Sequence, residues 1–124
     1  MIDTSRVDIN KAQVLAELQR HVGRENGVHM RDLVARILNS VLTSDAAERK
    51  VREAIAELRS MGHQICAHPA SGYYMAANAS ELDATCRFLL DRSQSTVNQV
   101  GAMKSTFPPD LYEALGVRKH GPNA

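Results

Sequence analysis

Tryptophan is absent from this sequence, and there are only three tyrosines, two phenylalanines and two cysteines. With so few aromatic rings, a hydrophobic core has to be assembled from Leu, Val, Ile, Met and Ala, for which an apolar content of 44% is sufficient. Two cysteines do not make a disulfide framework, which predicts a reducing, cytoplasmic location. Because apolar runs of about 18 residues and a basic-then-apolar N-terminus are missing, we expect neither a membrane span nor a secretory signal.

A strong excess of charge is missing as well. The 124 residues carry a formal net charge of +1, and no block or tail is markedly basic. Strong nonspecific affinity for phosphates is therefore not encoded in the total charge, so any cationic surface must arise from the placement of charges in three dimensions. The chain also lacks a glycine-rich phosphate loop, a nucleophile elbow and an H-E-x-x-H motif, and we expect no enzymatic activity and no cofactor.

The most informative stretch begins at Ser44 and continues to Ala76. Ser44 or Asp45 can cap a helix, Asp45 with Glu48 has the spacing of a capping box, and Gly62 is the expected stop. Residues 65–68 and 73–76 are short runs joined by a Pro-Ala-Ser-Gly turn, which predicts a β-hairpin. The apolar face of the helix is predicted from residues that recur every three or four positions, namely Val51, Ile55, Leu58 and Met61.

Similar periodicity predicts three further helices. The first is capped by Asp8 or Asn10 and runs to about His21, with Val14, Leu15, Leu18 and Val22 on its apolar face. Residues 23–27 have the composition of a loop, and 28–30 could form a short strand beside the hairpin. The second helix is expected over about 31–39, followed by a turn longer than that of a tight helix-turn-helix. The fourth starts near residue 79, with Ser80 and Asp83 as its capping pair.

The sequence R-K-V-R-x-x-I-x-x-L-R-x-x-G-x-x-I, followed by a short turn and G-Y-Y, is similar to winged helix domains of the biotin-repressor type and of many small phage and prophage proteins. The resemblance covers about residues 11–76. It implies a mainly α fold with a small β-hairpin wing, that is, a winged helix-turn-helix. The fourth helix, predicted from periodicity, would follow it as a long C-terminal helix. The expected organisation is a flexible N-terminus (1–8), the winged helix-turn-helix domain (9–78), a C-terminal dimerisation helix (79–105) and a tail with a possible short helix (106–124).

In winged helices the N-terminal half of the third helix enters the major groove of DNA. Here Ala46 and Ala47 would let the backbone approach, Arg49 could reach guanine O6 and N7, and Lys50 and Arg52 suit phosphates. The alternative is a solvated face on which Glu53 neutralises Arg49 and Lys50. The candidate DNA-binding residues are Ser44, Ala46, Arg49, Lys50, Arg52, Glu53, Arg31, His68 and Ser71.

The tip of the predicted wing carries neither arginine nor lysine, which departs from the usual pattern of wings. Only His68, Ser71 and Gln64 could contact phosphate there. Arg24, Arg31 and Arg36 could clamp the DNA backbone beside the third helix, although each could equally be an ordinary exposed arginine.

A helix of about 22 residues spans about 33 Å, so part of the fourth helix has nothing within one small domain to pack on. A partner helix from a second copy would cover it, and we expect a homodimer that binds two DNA half-sites. The candidate dimerisation residues are Leu82, Cys86, Leu89, Ser93, Val100 and Met103.

Two alternatives to a dimeric transcriptional or phage-type regulator remain. One is a protein-binding winged helix without a DNA role, such as a phage inhibitor or an assembly adaptor. The other is a replication or packaging accessory factor. A metal site is not expected, because His63, Cys66 and His68, with Cys86 as a fourth ligand, do not have a common zinc spacing.

Overall fold

The computed structural model describes residues 8–41 and 43–105, and the expected tail helix in 106–124 lies outside them. In this part of the chain, four helices and one antiparallel hairpin confirm the prediction of a mainly helical fold with a long C-terminal helix. The chain consists of two compact units, and the boundary between them lies after Cys86. The elements are α1 (Lys11–Leu18), a 3₁₀ turn (Arg24–Asn26), α2 (Met30–Leu38), α3 (Asp45–Ser60), β1 (Ile65–His68), β2 (Gly72–Met75) and α4 (Ala79–Ser105).

Helix α1 is closed at its start by a reciprocal capping box. The Gln13 backbone N–H donates to Asn10 Oδ1 (2.9 Å), and the Asn10 N–H donates to Gln13 Oε1 (2.8 Å). The helix ends at Leu18, earlier than predicted, because the next residues pair with β2. The Met75 N–H donates to the His21 carbonyl (2.8 Å), and Val22 forms a bridge with Met75. Val22 is consequently 47% exposed rather than part of the apolar helix face.

The ends of α2 and α3 depend on local backbone chemistry. Asn39 ends α2 in a left-handed conformation (φ 52°), and Gly62 follows the end of α3 with φ 99°. The N-cap of α3 is Ser44, whose hydroxyl accepts the Ala47 N–H (3.1 Å). The predicted capping box of Asp45 with Glu48 is wrong, because Asp45 is already the first helical residue.

The core is formed where α1, α2 and α3 meet the hairpin. The inward face predicted for α3 is confirmed at Val51, Ile55 and Leu58, each at most 2% exposed. Ala47 was expected on the outer face but is 1% exposed, since it lies one turn before Val51 on the same side of the helix. Met61 was expected on the apolar face but is 63% exposed at the C-cap. The other buried members of the core are Val14, Leu18, Val28, Leu33, Val34, Ala54 and Ile65.

Strand β2 is paired along both of its edges. One of its edges pairs with β1, from Ile65 opposite Met75 to His68 opposite Gly72. Its other edge pairs with Val28, whose N–H and carbonyl both bond to Tyr73 at 2.8 Å. The short strand expected at 28–30 is thus a single bridge, and Met30 already begins α2.

The outer edge of β1 is closed by side chains rather than by another strand. Arg59 Nε donates to the Ile65 carbonyl (2.9 Å), and the Ala67 N–H donates to Thr85 Oγ1 (3.3 Å). Covered edges are protected from pairing with other chains. Arg59 Nη2 is buried without a hydrogen-bond partner in the described ranges, and burial lowers the pKa of this guanidinium.

The first two turns of α4 cover the face of the hairpin that points away from the core. Cys66 and Tyr74 are buried there, Cys66 Sγ donates to the Glu81 carbonyl (3.6 Å), and burial raises the pKa of both side chains. The predicted cap by Ser80 and Asp83 is wrong. The Asn78 side chain caps the helix by accepting the Glu81 N–H (2.9 Å).

Candidate nucleic-acid interface

The outer face of α3 carries most of the residues predicted to contact DNA. Ala46, Arg49, Lys50, Arg52 and Glu53 are exposed on it. This follows from the helical period, because the buried residues recur every three or four positions and leave the opposite side to solvent. Ser44 is different. It is half-buried, and its hydroxyl oxygen already accepts the Ala47 N–H.

Charges on this face are only partly neutralised within α3. Arg52 Nη2 lies 3.2 Å from Glu48 Oε1, and Glu48 also accepts a bond from Thr43 Oγ1 (3.4 Å). The salt bridge expected between Arg49 and Glu53 is not formed, and neither of these two side chains pairs with a residue in 8–41 or 43–105. Among the described residues, Arg49 is therefore exposed to solvent without a counter-ion.

Helix α2 adds two exposed cations. Arg31 lies in its first turn and Arg36 in its last, and both are exposed. Like Arg49, they form no ion pair within the described part of the chain. An exposed cation without a local partner can engage a phosphate at little cost, because no existing ion pair has to be broken.

A cation from the 3₁₀ turn lies against the hairpin tip. Arg24, in the 3₁₀ turn, donates from Nε to Ser71 Oγ (3.3 Å), and its Nη2 lies 2.9 Å from His68 Nε2. The hairpin has no arginine or lysine at its tip, but Arg24, 44 positions before His68, places a cation there. No local signal in the sequence indicates this contact.

Glu81 ties the 3₁₀ turn to the start of α4. Its Oε2 accepts the Arg24 backbone N–H (3.0 Å) and its Oε1 accepts the Ala77 N–H (2.9 Å). These two hydrogen bonds to the charged form hold the pKa of the Glu81 carboxyl below its ordinary value. Arg24 is thereby anchored through its backbone, which leaves its side chain to contact the hairpin tip.

Replacing Glu81 with glutamine is expected to destabilise the fold at neutral pH, because an amide can accept only one of the two N–H bonds through its oxygen. A lowered folded-state pKa stabilises the protein above the unfolded pKa, and this contribution is lost as pH falls through the folded value. Urea unfolding at neutral and at acid pH should therefore show a gap between parent and variant that closes in acid. Glu53→Gln is the control, and a gap of constant size for Glu81→Gln would contradict the prediction.

The dimerisation residues predicted on α4 fall into the two compact units. Leu82 and Cys86 belong to the first unit, where Leu82 is half-buried and Cys86 is exposed. In the second unit, Leu89 is half-buried and Ser93 is exposed. In the described part of this unit, residues 87–105, the large exposed apolar side chains are Phe88, Leu90, Val97, Val100 and Met103.

Among the described residues, no group of three or more His, Cys, Asp or Glu side chains could hold a metal ion, and no helix is long and apolar enough to cross a membrane. Comparison of the chain with protein-family models, with curated proteins and with solved structures finds no match.

Proposed function

We propose that this chain is a winged helix-turn-helix protein that binds duplex DNA as a small dimeric, cytoplasmic regulator of transcription or of a phage-type process. The observation that carries the proposal is the outer face of α3, where exposed Arg49 and Lys50 lie beside the small side chain of Ala46. The reading helix would be α3, the β1–β2 hairpin would be the wing, and α4 would join two copies.

The order of the elements supports the winged helix assignment. Three helices precede the hairpin, and Val28, between the first two, pairs with β2. A sheet built this way seals the aliphatic side of α3 and leaves its other side open. Winged helices use that arrangement to place the third helix in the major groove.

The side chains on α3 fit distinct DNA groups. A guanidinium fork such as Arg49 can donate to O6 and N7 of guanine, while the compact charge of Lys50 suits a phosphate. Glu53 could accept a bond from N4 of cytosine. Arg52 can reach a phosphate by exchanging its exposed pairing with Glu48, which costs little.

DNA binding is tested by fluorescence anisotropy of a random duplex across a salt series. The parent chain should bind with an affinity that falls as salt rises. Arg49→Ala should weaken binding to this duplex and lower the slope of log affinity against log salt by about 1, the change expected when one cationic contact is lost. Lys11→Ala is the matched control, since Lys11 is an exposed cation that pairs with Glu57 (3.2 Å) far along α3. Absence of binding at micromolar protein and low salt would refute the proposal.

Val97, Val100 and Met103 are exposed along one side of α4, and this apolar side supports the dimer. Val100→Glu places a charge on that side, whereas Asn98→Glu places one about 200° around the helix, where Gln94 already bonds to Asn98. In light scattering of the full chain, we expect a dimer mass for the parent and for Asn98→Glu, and a monomer mass for Val100→Glu. A monomeric parent, or equal masses for the two variants, would remove α4 as the dimer contact.

The second candidate is a winged helix that binds another protein and has no DNA role. The exposed apolar residues of α4 and the net charge of +1 favour it. The salt series separates the two functions, because a protein-binding domain should leave the duplex unbound at every salt concentration. A replication or packaging factor would instead bind DNA while its α4 engages a different protein.

A further inference from the structure

His21 joins three segments of the first compact unit. It follows the end of α1 and is only 9% exposed. Its Nδ1 lies 2.9 Å from the Asn26 carbonyl oxygen in the 3₁₀ turn, and its Nε2 lies 2.8 Å from Glu17 Oε2 on α1. Its backbone carbonyl accepts the Met75 N–H from β2 (2.8 Å). A change at this residue would therefore affect the helix, the turn and the hairpin together.

Both nitrogens of the His21 ring face oxygen atoms. A carbonyl oxygen and an ionised carboxylate can only accept a hydrogen bond, whereas a neutral imidazole has a single N–H to donate. Two hydrogen bonds of these lengths therefore need a second proton, either on His21 Nε2 or on Glu17 Oε2. Because the proton can sit on either atom of the same contact, it belongs to the pair rather than to one residue.

The other charged groups around the pair come from α1, the 3₁₀ turn and α4. Arg20 Nη1 is 3.9 Å from Glu17 Oε1, but the Arg20 side chain is 75% exposed, so water screens this contact. The turn carries Arg24 and Glu25, both exposed, and Glu81 of α4 accepts the backbone N–H of Arg24. Strand β2 contributes only tyrosines as titratable side chains. Within the described residues, the charged group to which the imidazole ring bonds is thus the Glu17 carboxylate.

We propose that Glu17 and His21 form a pH-sensitive joint, which holds the 3₁₀ turn against the end of α1 while the pair keeps its second proton and releases the turn when that proton is lost. A charged acceptor makes the stronger hydrogen bond, so the remaining N–H of the ring goes to the Glu17 carboxylate. The Asn26 carbonyl then loses its donor, and the turn loses its side-chain contact with α1. The joint would act in the same way whether or not the chain binds DNA.

The direction of the pH dependence follows from counting protons. In the unfolded chain at neutral pH, a carboxylate is ionised and an imidazole is largely uncharged. A folded state that holds one proton more than the unfolded chain is stabilised at low pH, and this contribution is lost as the pH rises. The joint therefore stabilises the fold on the acid side of neutrality, as long as Glu17 stays ionised or shares its proton with the ring.

The stability test compares Glu17→Gln with the parent by urea unfolding at about pH 6 and about pH 9, on either side of the ordinary imidazole pKa of roughly 6.5. At the lower pH the variant lacks the charged partner of the imidazolium, so its unfolding midpoint should be lower. At the higher pH the glutamine N–H can donate to the unprotonated Nε2, so its midpoint should equal or exceed that of the parent. Glu57→Gln is the matched control, because Glu57 pairs with exposed Lys11 (3.2 Å) and its effect should be the same at both pH values. A midpoint of Glu17→Gln that is lowered equally at both pH values, or at neither, would refute the joint.

An NMR titration of the full chain tests the release of the turn. The Gly27 amide shares a peptide unit with the Asn26 carbonyl, so its resonance should move between these two pH values. His21→Gln should abolish the movement. His68→Gln should keep it, which matters because His68 contacts Arg24 of the same turn and could otherwise be its source. A Gly27 resonance that stays still in the parent, or that moves as far in His21→Gln, would overturn the proposal.

Discussion

Replacing Gly72 with alanine is expected to lower the free energy of unfolding by about 3 kcal/mol, because two separate costs meet at this residue. Its φ is 80°, in the left-handed region that residues with a Cβ rarely adopt. A Cβ would also lie 2.4 Å from the Val28 carbonyl oxygen, a backbone atom that cannot turn aside. Since Val28 pairs with Tyr73, the clash would disturb the contact between the hairpin and the core.

Alanine substitutions at three other glycines measure the steric cost and the conformational cost separately. Gly27 has an ordinary φ of −59° but its Cβ would be 2.1 Å from the Ser71 oxygen, whereas Gly62 has φ 99° and no atom within 4 Å. Gly27→Ala therefore measures overlap, and Gly62→Ala measures conformation, at about 1 kcal/mol. Gly101 has neither cost, so Gly101→Ala should stabilise α4 by roughly 0.5–1 kcal/mol. Urea unfolding of the four variants would contradict this account if Gly72→Ala cost no more than Gly62→Ala.

Replacing Leu18 with alanine is expected to cost about 3–4 kcal/mol of stability, the range seen for fully buried leucines. Leu18 is 0% exposed at the end of α1 and belongs to the main core. Truncation would remove its contacts and leave a cavity between α1 and the rest of the core. The loss should appear as a lower denaturation midpoint with little change in the slope of the transition.

The matched control is Leu90→Ala, the same substitution on a helix. Leu90 is 68% exposed, so truncation should change stability by at most about 0.5 kcal/mol at protein concentrations low enough to keep the chain monomeric. Equal losses for Leu18→Ala and Leu90→Ala would mean that α4 contributes to the folded core as much as α1 does, which the burial of these side chains contradicts.

Local features of the fold were predictable because their causes lie within a few residues. The three-and-four spacing of Val51, Ile55 and Leu58 predicts which side of α3 is buried, and Gly62 marks its end. The short runs on either side of the Pro69 turn predict a hairpin, because turn chemistry and strand propensity are both local. The exposed position of Arg49 follows from the same helical period.

The two predicted capping pairs failed. Asp45 and Glu48 form no capping box because Ser44, the other candidate, is the N-cap of α3, and Asn78 caps α4 in place of Ser80 and Asp83. Periodicity also does not reveal how wide a buried face is, so Ala47 was placed outside although it packs in the core. The extent of that face is decided by packing against elements that are distant in the sequence.

The sequence by itself determined the helices, the hairpin and the side of α3 that carries cations, because periodicity, capping and turn chemistry act over a few neighbouring residues. Only the tertiary structure decided that Arg24 meets His68 and Ser71, that Glu81 joins the 3₁₀ turn to α4, and that Thr85 closes the edge of β1. Those contacts join residues 18 to 57 positions apart. Hydrogen bonds at such separations depend on the path of the whole backbone, which no local pattern specifies.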